Sequence, residues 1–372
     1  MPLNLKNHLK QLSETPAPSG HEERVRAVIR DAWAPLVDSF DQDGLGNLIA
    51  VKRGTGSEPR RRVMLCAHMD EIGMIVAEVR DGFVRTLPLG GVDYRALLAQ
   101  PVIVHGRRAL PGVFGAAPPH MSRDRKKYPP ADELWIDVGL PADEVAALVR
   151  PGDLVTLDAP FVSLRGERVA GKSLDNRASV AAVTVCLDEL ARRSHAWDVL
   201  AVAAVQEEVN LAGAAAAAYR LQPDLAIAID ATFGEQHGAN DDDTYTLGDG
   251  PTLGRGPNLH PGLFKALRDL AKEQEVKLQI EVLPGNSGTD AWAIQVSRAG
   301  VPTALLSIPI RNMHTPSEVV DLRDITRVGR LMAAFIETLA DDTLGRIGWR
   351  LPPGGEKATG ARSGRAQKEG AA

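Results

Sequence analysis

Apolar positions change texture three times along the chain. Residues 3–13 repeat at helical spacing until Pro16-Ala17-Pro18-Ser19-Gly20 interrupts them, and a second helix runs to about Pro35 with Val25, Ile29 and Trp33 on one face. Ser19 and Glu22, three apart, have the pattern of a capping box at its start. A turn over 41–46 and a short strand over 47–52 follow. Residues 63–67 then form a compact apolar strand ending in His68-Met69-Asp70-Glu71. From Gly73 to Leu164 the runs are short and alternating, as in Met74-Ile75-Val76-Ala77 and Val102-Ile103-Val104. Turn signals such as Arg80-Asp81-Gly82 and Leu89-Gly90-Gly91 separate them, with a single short helix over 142–148. Beyond Gly171, helices over 175–193, 211–219, 261–275, 289–298 and 324–341 alternate with strands over 199–205, 225–229, 278–283 and 302–307.

That alternation predicts an α/β fold with a mostly parallel, mixed sheet flanked by helices. Residues 1–70 hold too few strands for a core of their own. The expected organisation is therefore one discontinuous α/β domain, 1–72 plus 165–344, interrupted by a small all-β domain over 73–164. The Gly-, Ala-, Pro-, Lys- and Arg-rich stretch 345–372, almost without bulky apolar residues, is expected to be a disordered tail.

Composition narrows the function classes. A net charge of −5 and 4% aromatic residues argue against nucleic acid as a partner. No run approaches ~20 apolar residues, so no membrane span is expected. Cys66 and Cys186 sit in apolar segments and read as buried thiols rather than a disulfide. Together with a start, Met-Pro-Leu-Asn-Leu-Lys, that has no apolar signal core, they point to the cytoplasm.

The candidate chemistry centres on Val205-Gln206-Glu207-Glu208. Two adjacent carboxylates closing a buried strand repel each other and lose hydration, a liability that a cation between them would offset. His68, Glu207, Glu208, Asp230 and His314 all fall at or just after strand ends, and Asp175 opens a helix. Open α/β sheets bind ligands beyond the carboxyl ends of their strands. One histidine after a strand is ordinarily a satisfied core or surface residue; six such groups at equivalent places are not. Two imidazoles and four carboxylates without cysteine suit zinc, cobalt or manganese. The set exceeds one tetrahedral ion. Two ions bridged by one carboxylate would use five ligands and leave one carboxylate free as general base on a metal-bridging water. His68 and Asp70 share a face of an extended strand, so Asp70 can accept the second imidazole N–H, although a turn or cap role also fits an Asp there.

The stretches His68-Met69-Asp70-Glu71-Ile72-Gly73, Gly171-Lys172-Ser173-Leu174-Asp175-Asn176-Arg177, Val205-Gln206-Glu207-Glu208-Val209, Ala228-Ile229-Asp230-Ala231 and Met313-His314-Thr315-Pro316-Ser317-Glu318 resemble the motifs of the tetrahedral, or deblocking, aminopeptidases of glutamyl or leucyl type. These are dinuclear zinc metallopeptidases, some also labelled cellulases. Pro18-Ser19-Gly20, Gly44-Leu45-Gly46-Asn47 and Gly288-Thr289-Asp290-Ala291 match more weakly. The resemblance covers about residues 5–342 in order. It implies Asp175 as the bridging ligand, His68 and Asp230 at one metal, Glu208 and His314 at the other, Glu207 as base and proton shuttle, and Asp70 orienting His68. It further implies peptide substrates with a free N-terminus, an inserted domain that mediates dimerisation, and dimers assembling into a tetrahedral dodecamer. The competing readings are a related di-metal amidase, deacylase or carboxypeptidase, a glycosidase, and a scaffold on a dead peptidase fold. For specificity, Arg255, His260 and Asn286 lie in candidate segments.

Overall fold

A computed structural model of the protein describes residues 3–118, 120–121 and 128–348. The chain opens with α1 (Leu5–Glu14) and α2 (Glu23–Trp33), the latter burying Val25, Ile29 and Trp33. The expected capping box does not form: Glu22 occupies the cap position without a side-chain cap bond, and the Ser19 hydroxyl donates instead to Asp70 Oδ2 at 2.6 Å. A buried carboxylate outcompetes a helix end for a hydroxyl because charge-assisted hydrogen bonds are roughly twice as strong as neutral ones. Strands β1 (Ser39–Gln42) and β2 (Leu48–Lys52) form a hairpin, so Asp41 and Gln42, expected in a turn, lie in a strand. The turn itself is held by the Asp43 carboxylate, which accepts from the amides of Leu45, Gly46 and Asn47.

After β3 (Arg62–His68), six strands close into a barrel: β4 (Gly73–Arg80), β5 (Phe83–Leu89), β6 (Pro101–His105), β7 (Ala109–Gly115), β8 (Trp135–Asp137) and β9 (Leu154–Leu157), with α3 (Ala142–Leu148) beside them. Alternate residues such as Met74, Val76, Val84, Val102, Val104, Phe114 and Val155 fill a core of its own. The chain then returns through β10 (Val162–Ser163) and β11 (Arg168–Gly171). β10, within the segment expected to be all insertion, pairs with β11 of a separate three-stranded sheet rather than with the barrel.

The remaining elements are α4 (Leu174–Leu190), β12 (Asp198–Ala204), α5 (Glu207–Asn210), α6 (Ala212–Leu221), β13 (Leu225–Phe233), β14 (Thr252–Arg255), α7 (Pro261–Glu273), β15 (Gln279–Val282), α8 (Asp290–Gln295), β16 (Thr303–Ile310), β17 (Glu318–Asp321), α9 (Leu322–Glu337) and α10 (Thr343–Ile347). The main sheet runs β1-β2-β12-β3-β13-β16-β14-β15. Its centre, β12-β3-β13-β16, is parallel, with antiparallel neighbours outside it. Val63, Leu65 and Ala67 of β3 face a core shared with α4 and α9, whereas Met64 and Cys66 face one shared with α6 and α8. Apolar residues on both faces are what a parallel strand covered by helices requires. Both cysteines are buried and free. Residues 345–347, assigned to the tail from sequence, end α10; the rest of that tail, from 349, and the charged loop segment 122–127 lie outside the described residues. No helix among the described residues is long and apolar enough to cross a membrane.

Candidate metal centre

Parallel pairing brings the candidate residues to one edge of the sheet. His68 is the last residue of β3 and pairs in register with Ala204, the last of β12. Two residues further on, Gln206 adopts a left-handed conformation (φ 57°) and turns the chain so that Glu207 and Glu208 open α5. Asp230 lies inside β13 rather than beyond its end: the strand continues to Phe233 because Ala231 to Phe233 pair with Ile308 to Ile310. Asp175 sits at the start of α4 with extended dihedrals (φ −77°, ψ 105°), after the left-handed Ser173 (φ 58°). His314 is itself left-handed (φ 61°), in the loop between β16 and β17. Non-glycine residues in this region cost about 1–3 kcal/mol each and cluster where surrounding contacts over-determine them.

The six side chains converge. His68 Nε2 lies 3.4 Å from Asp175 Oδ1, 3.6 Å from Asp230 Oδ1 and 3.7 Å from Glu207 Oε2. His314 Nε2 lies 3.4 Å from Asp175 Oδ2 and 3.3 Å from Glu208 Oε2. The two oxygens of Asp175 thus face different imidazoles. Ligand bonds of ~2.0–2.1 Å in tetrahedral array would set donor atoms about 3.3 Å apart, close to these separations. Among the described residues, His68 could share a metal ion either with Glu207 and Asp230 or with Asp175 and Glu208; the two groups have His68 in common and so are alternatives for that imidazole rather than two separate sites.

Electrostatics point the same way. Burial, reinforced by Asp230, Asp290 and Glu208, pushes the Glu207 carboxyl up to about 10 despite the opposing His68. Burial also raises Glu208 and Asp230. Contacts with Asp175 and Glu208 raise His314 to about 11 against the effect of burial. Burial would lower His68, but Glu207, Asp175, Asp230 and Asp70 together raise it well above its ordinary value. Asp175 Oδ1 is buried without a hydrogen-bond partner. Carboxylates driven to hold protons, imidazoles driven to be cations and an orphaned oxygen describe a cavity that calls for positive charge, and the donor set fits divalent ions.

A surrounding layer holds these groups. Asp70 lies 3.3 Å from His68 Nδ1 and accepts from Ser19 Oγ and from the amides of Glu207 (3.1 Å) and Glu208 (3.2 Å). It therefore anchors the α5 turn as well as the imidazole. Burial would raise its pKa, but the His68, Ser19 and Glu207 contacts lower it. Glu71 accepts from Lys172 Nζ and Ser173 Oγ, and from Ala17 N at 2.7 Å, all buried, tying the end of β3 to the approach to α4. Glu318, also buried, accepts from Asp175 N (3.0 Å) with one oxygen and from His314 N (2.9 Å) with the other. Glu71, Lys172, Ser173 and Glu318 carry no expected role in the sequence; their signal there is a charged or hydroxyl side chain within a few residues of a candidate ligand. Arg255 stacks over Phe264 at 5.5 Å, His260 caps α7 through Leu263 N, and Asn286 accepts from Gly288 N. Each of these candidate specificity residues thus makes a local contact.

Comparison with known proteins shows the family of the chain. A family model described as M42 glutamyl aminopeptidase matches residues 46–331. The lysyl aminopeptidase of Pyrococcus furiosus is 36% identical over 341 residues, 89% of this chain and 96% of the relative. An aminopeptidase of known structure from the archaeon Desulfurococcus kamchatkensis superposes with a TM-score of 0.85 at 35% identity, covering 92% of this chain and 97% of the other. The TET1 peptidase of Pyrococcus horikoshii, described as assembling into a tetrahedron or a large octahedral shell, gives 0.80 at 32% identity, over 90% and 100%. A match of this extent, over a sheet edge carrying the expected imidazoles and carboxylates, shows that the chain belongs to the M42 aminopeptidase family of peptide-bond hydrolases.

Proposed function

We propose that the protein holds two divalent ions, zinc in the first instance with cobalt or manganese as alternatives, and releases N-terminal residues from peptides with a free N-terminus. The observation that carries this reading is the Asp175 carboxylate, whose two oxygens face His68 and His314 separately. His68 and Asp230 would hold one ion, Glu208 and His314 the other, with Asp175 shared between them. Ions bound there would polarise the scissile carbonyl and acidify the attacking water. Glu207 takes the proton from that water and returns it to the leaving amine. Its carboxylate is the most distant of those around His68, at 3.7 Å, and positive charge nearby would lower its raised pKa into the range of a working base. Asp70 orients His68 and carries the amides of the Glu207–Glu208 turn, so one buried carboxylate sets both the ligand and the base.

The reading extends to assembly. The segment 73–164 acts as an inserted dimerisation unit, and the dimers close into a tetrahedral dodecamer in the cytoplasm. Phe83 and Val113 are 44% and 43% exposed on the outside of the barrel, beside Trp135, an apolar face suited to a second copy. Native mass spectrometry tests the assembly.

The test of mechanism is Glu207→Gln. Metal content should stay near that of the wild type while turnover falls about 10²–10⁴-fold, the usual contribution of a general base. Full activity in this variant refutes the assignment. A panel of aminoacyl-p-nitroanilides, with zinc, cobalt and manganese, identifies the preferred first residue.

A further inference from the structure

Gly90 and Gly91, at the end of β5, belong to the barrel by sequence yet lie against the metal centre of the other unit. The Gly91 carbonyl oxygen is 3.1 Å from His314 Nδ1. A Cβ built on Gly91 would sit 2.6 Å from that nitrogen and 2.8 Å from His314 Cε1, and one on Gly90 would sit 3.3 Å from Glu208 Cβ. The barrel thus packs on both residues of one half of the centre. Gly91 is not among the residues with positive φ, so the backbone there accepts any L-residue and the closeness of the ring alone demands glycine.

We propose that the inserted barrel is part of the metal centre, with Gly91 as a positioning residue that sets the tautomer and place of His314. The inference rests on the dinuclear reading above. An imidazole can offer a lone pair to a metal from one nitrogen while the other donates its proton outward. With Nδ1–H donated to the Gly91 carbonyl, Nε2 is left facing Asp175 and Glu208, 3.4 Å and 3.3 Å away. The His314 backbone is held independently, its amide donating to Glu318. The ring is therefore steered by one structural unit and the main chain by the other. A side chain at position 91 would push the ring off its carboxylate partners without disturbing the sheet, where His68 pairs in register with β12.

The experiment compares the full-length wild type with Gly91→Ala, His314→Ala, the double variant and the barrel control Gly115→Ala, whose added Cβ would meet nothing nearer than 3.9 Å. Each metal-free protein is titrated with Co²⁺, following visible absorption and bound metal by elemental analysis. The wild type should take up about two ions per chain. Gly91→Ala should bind the first as the wild type does and the second about 10–100-fold more weakly, the usual effect of losing an outer partner of a ligand. Adding Gly91→Ala to His314→Ala should change neither affinity nor spectrum, and Gly115→Ala should match the wild type. Wild-type affinities and spectra in Gly91→Ala overturn the proposal, as does equal weakening of both ions or a further loss in the double variant. A wild type that binds no Co²⁺ instead overturns the dinuclear reading together with this one.

Discussion

The two imidazoles of the centre are held in opposite ways. His68 closes a central parallel strand, and its side chain is 1% exposed between Asp70 and the cavity. Its position follows from strand pairing, and neighbouring Glu71 is locked to Lys172 and Ser173. His314 lies on a loop in a left-handed conformation with its side chain 33% exposed. Besides Asp175 and Glu208 at its Nε2, Glu318 from β17 holds its main chain and Gly91 from the barrel holds its Nδ1. A ligand on a sheet is positioned by the same hydrogen bonds that build the fold. A ligand on a loop must be positioned by contacts recruited from elsewhere, and those can be altered without unfolding the protein. Asp175 turns one oxygen to each imidazole, and its amide is held by the same Glu318.

The largest test of this contrast removes that carboxylate. Asp175→Ala should abolish binding of both ions and lower turnover by more than about 10³-fold, since neither the general base nor its electrophilic partner then operates; elemental analysis of the dialysed protein checks it. Retention of one ion at full affinity would show that the halves are independent. Next comes Glu71→Gln, which leaves Lys172 buried beside a neutral amide. Breaking a buried pair in this way costs about 3–5 kcal/mol, read from denaturant unfolding, and the loss should be larger than for any substitution at Glu318 that spares the sheet. A smaller effect separates the imidazoles themselves. In the metal-free protein, His68→Ala should cost about 1–3 kcal/mol by leaving buried partners unpaired, whereas His314→Ala should stay near 1 kcal/mol or below. Equal losses would break the comparison.

The comparison can also be tested through the dependence on pH. Without metal, His314 is raised from 6.5 to about 11 and Glu207 from 4.5 to about 10, both chiefly for reasons of the site itself: carboxylate contacts for the imidazole and burial for the carboxyl. A group whose folded pKa is raised contributes stability fully present below its unfolded value and lost as pH rises through its folded value. The metal-free protein should therefore lose stability as pH rises from 4.5, the unfolded value of Glu207, to about 11, the folded value of His314, with both groups contributing between 6.5 and about 10. Metal uptake must expel these protons, so apparent affinity should rise over the same interval. Thermal melts at several pH values, with calorimetric titrations in buffers of different ionisation enthalpy, measure both slopes; a metal-free protein that grows more stable with pH would contradict the assigned proton holders.

Much of this was legible in advance, for identifiable reasons. The alternation of β3, β12, β13 and β16 with α4, α6 and α9 is written in apolar periodicity, because parallel strands bury both faces and amphipathic helices one. The ends of those strands then name His68 and Glu207–Glu208 directly. Other features escaped. Ser19 and Glu22 satisfied a capping pattern, but Asp70, 51 residues from Ser19, took the hydroxyl. Asp230 lay inside its strand because β16 extended the pairing. β17 and its partner β11 are four-residue strands that pair Arg168 with Asp321 and Gly171 with Glu318, across most of the second half of the chain. None of these has a local signal, since each is decided by a partner remote in sequence.

By itself the sequence determined which residue types gather at the sheet edge and on which elements they ride, because side-chain periodicity and the direction of parallel strands are local properties repeated along the chain. Tertiary structure alone decided how they are held: that Asp175 turns one oxygen to each imidazole, that Glu318 grips the main chain of two candidate ligands, and that a glycine of the barrel comes within 3.1 Å of His314. These are matters of approach between distant segments, and approach distance is set by packing of the whole molecule rather than by any stretch of chain.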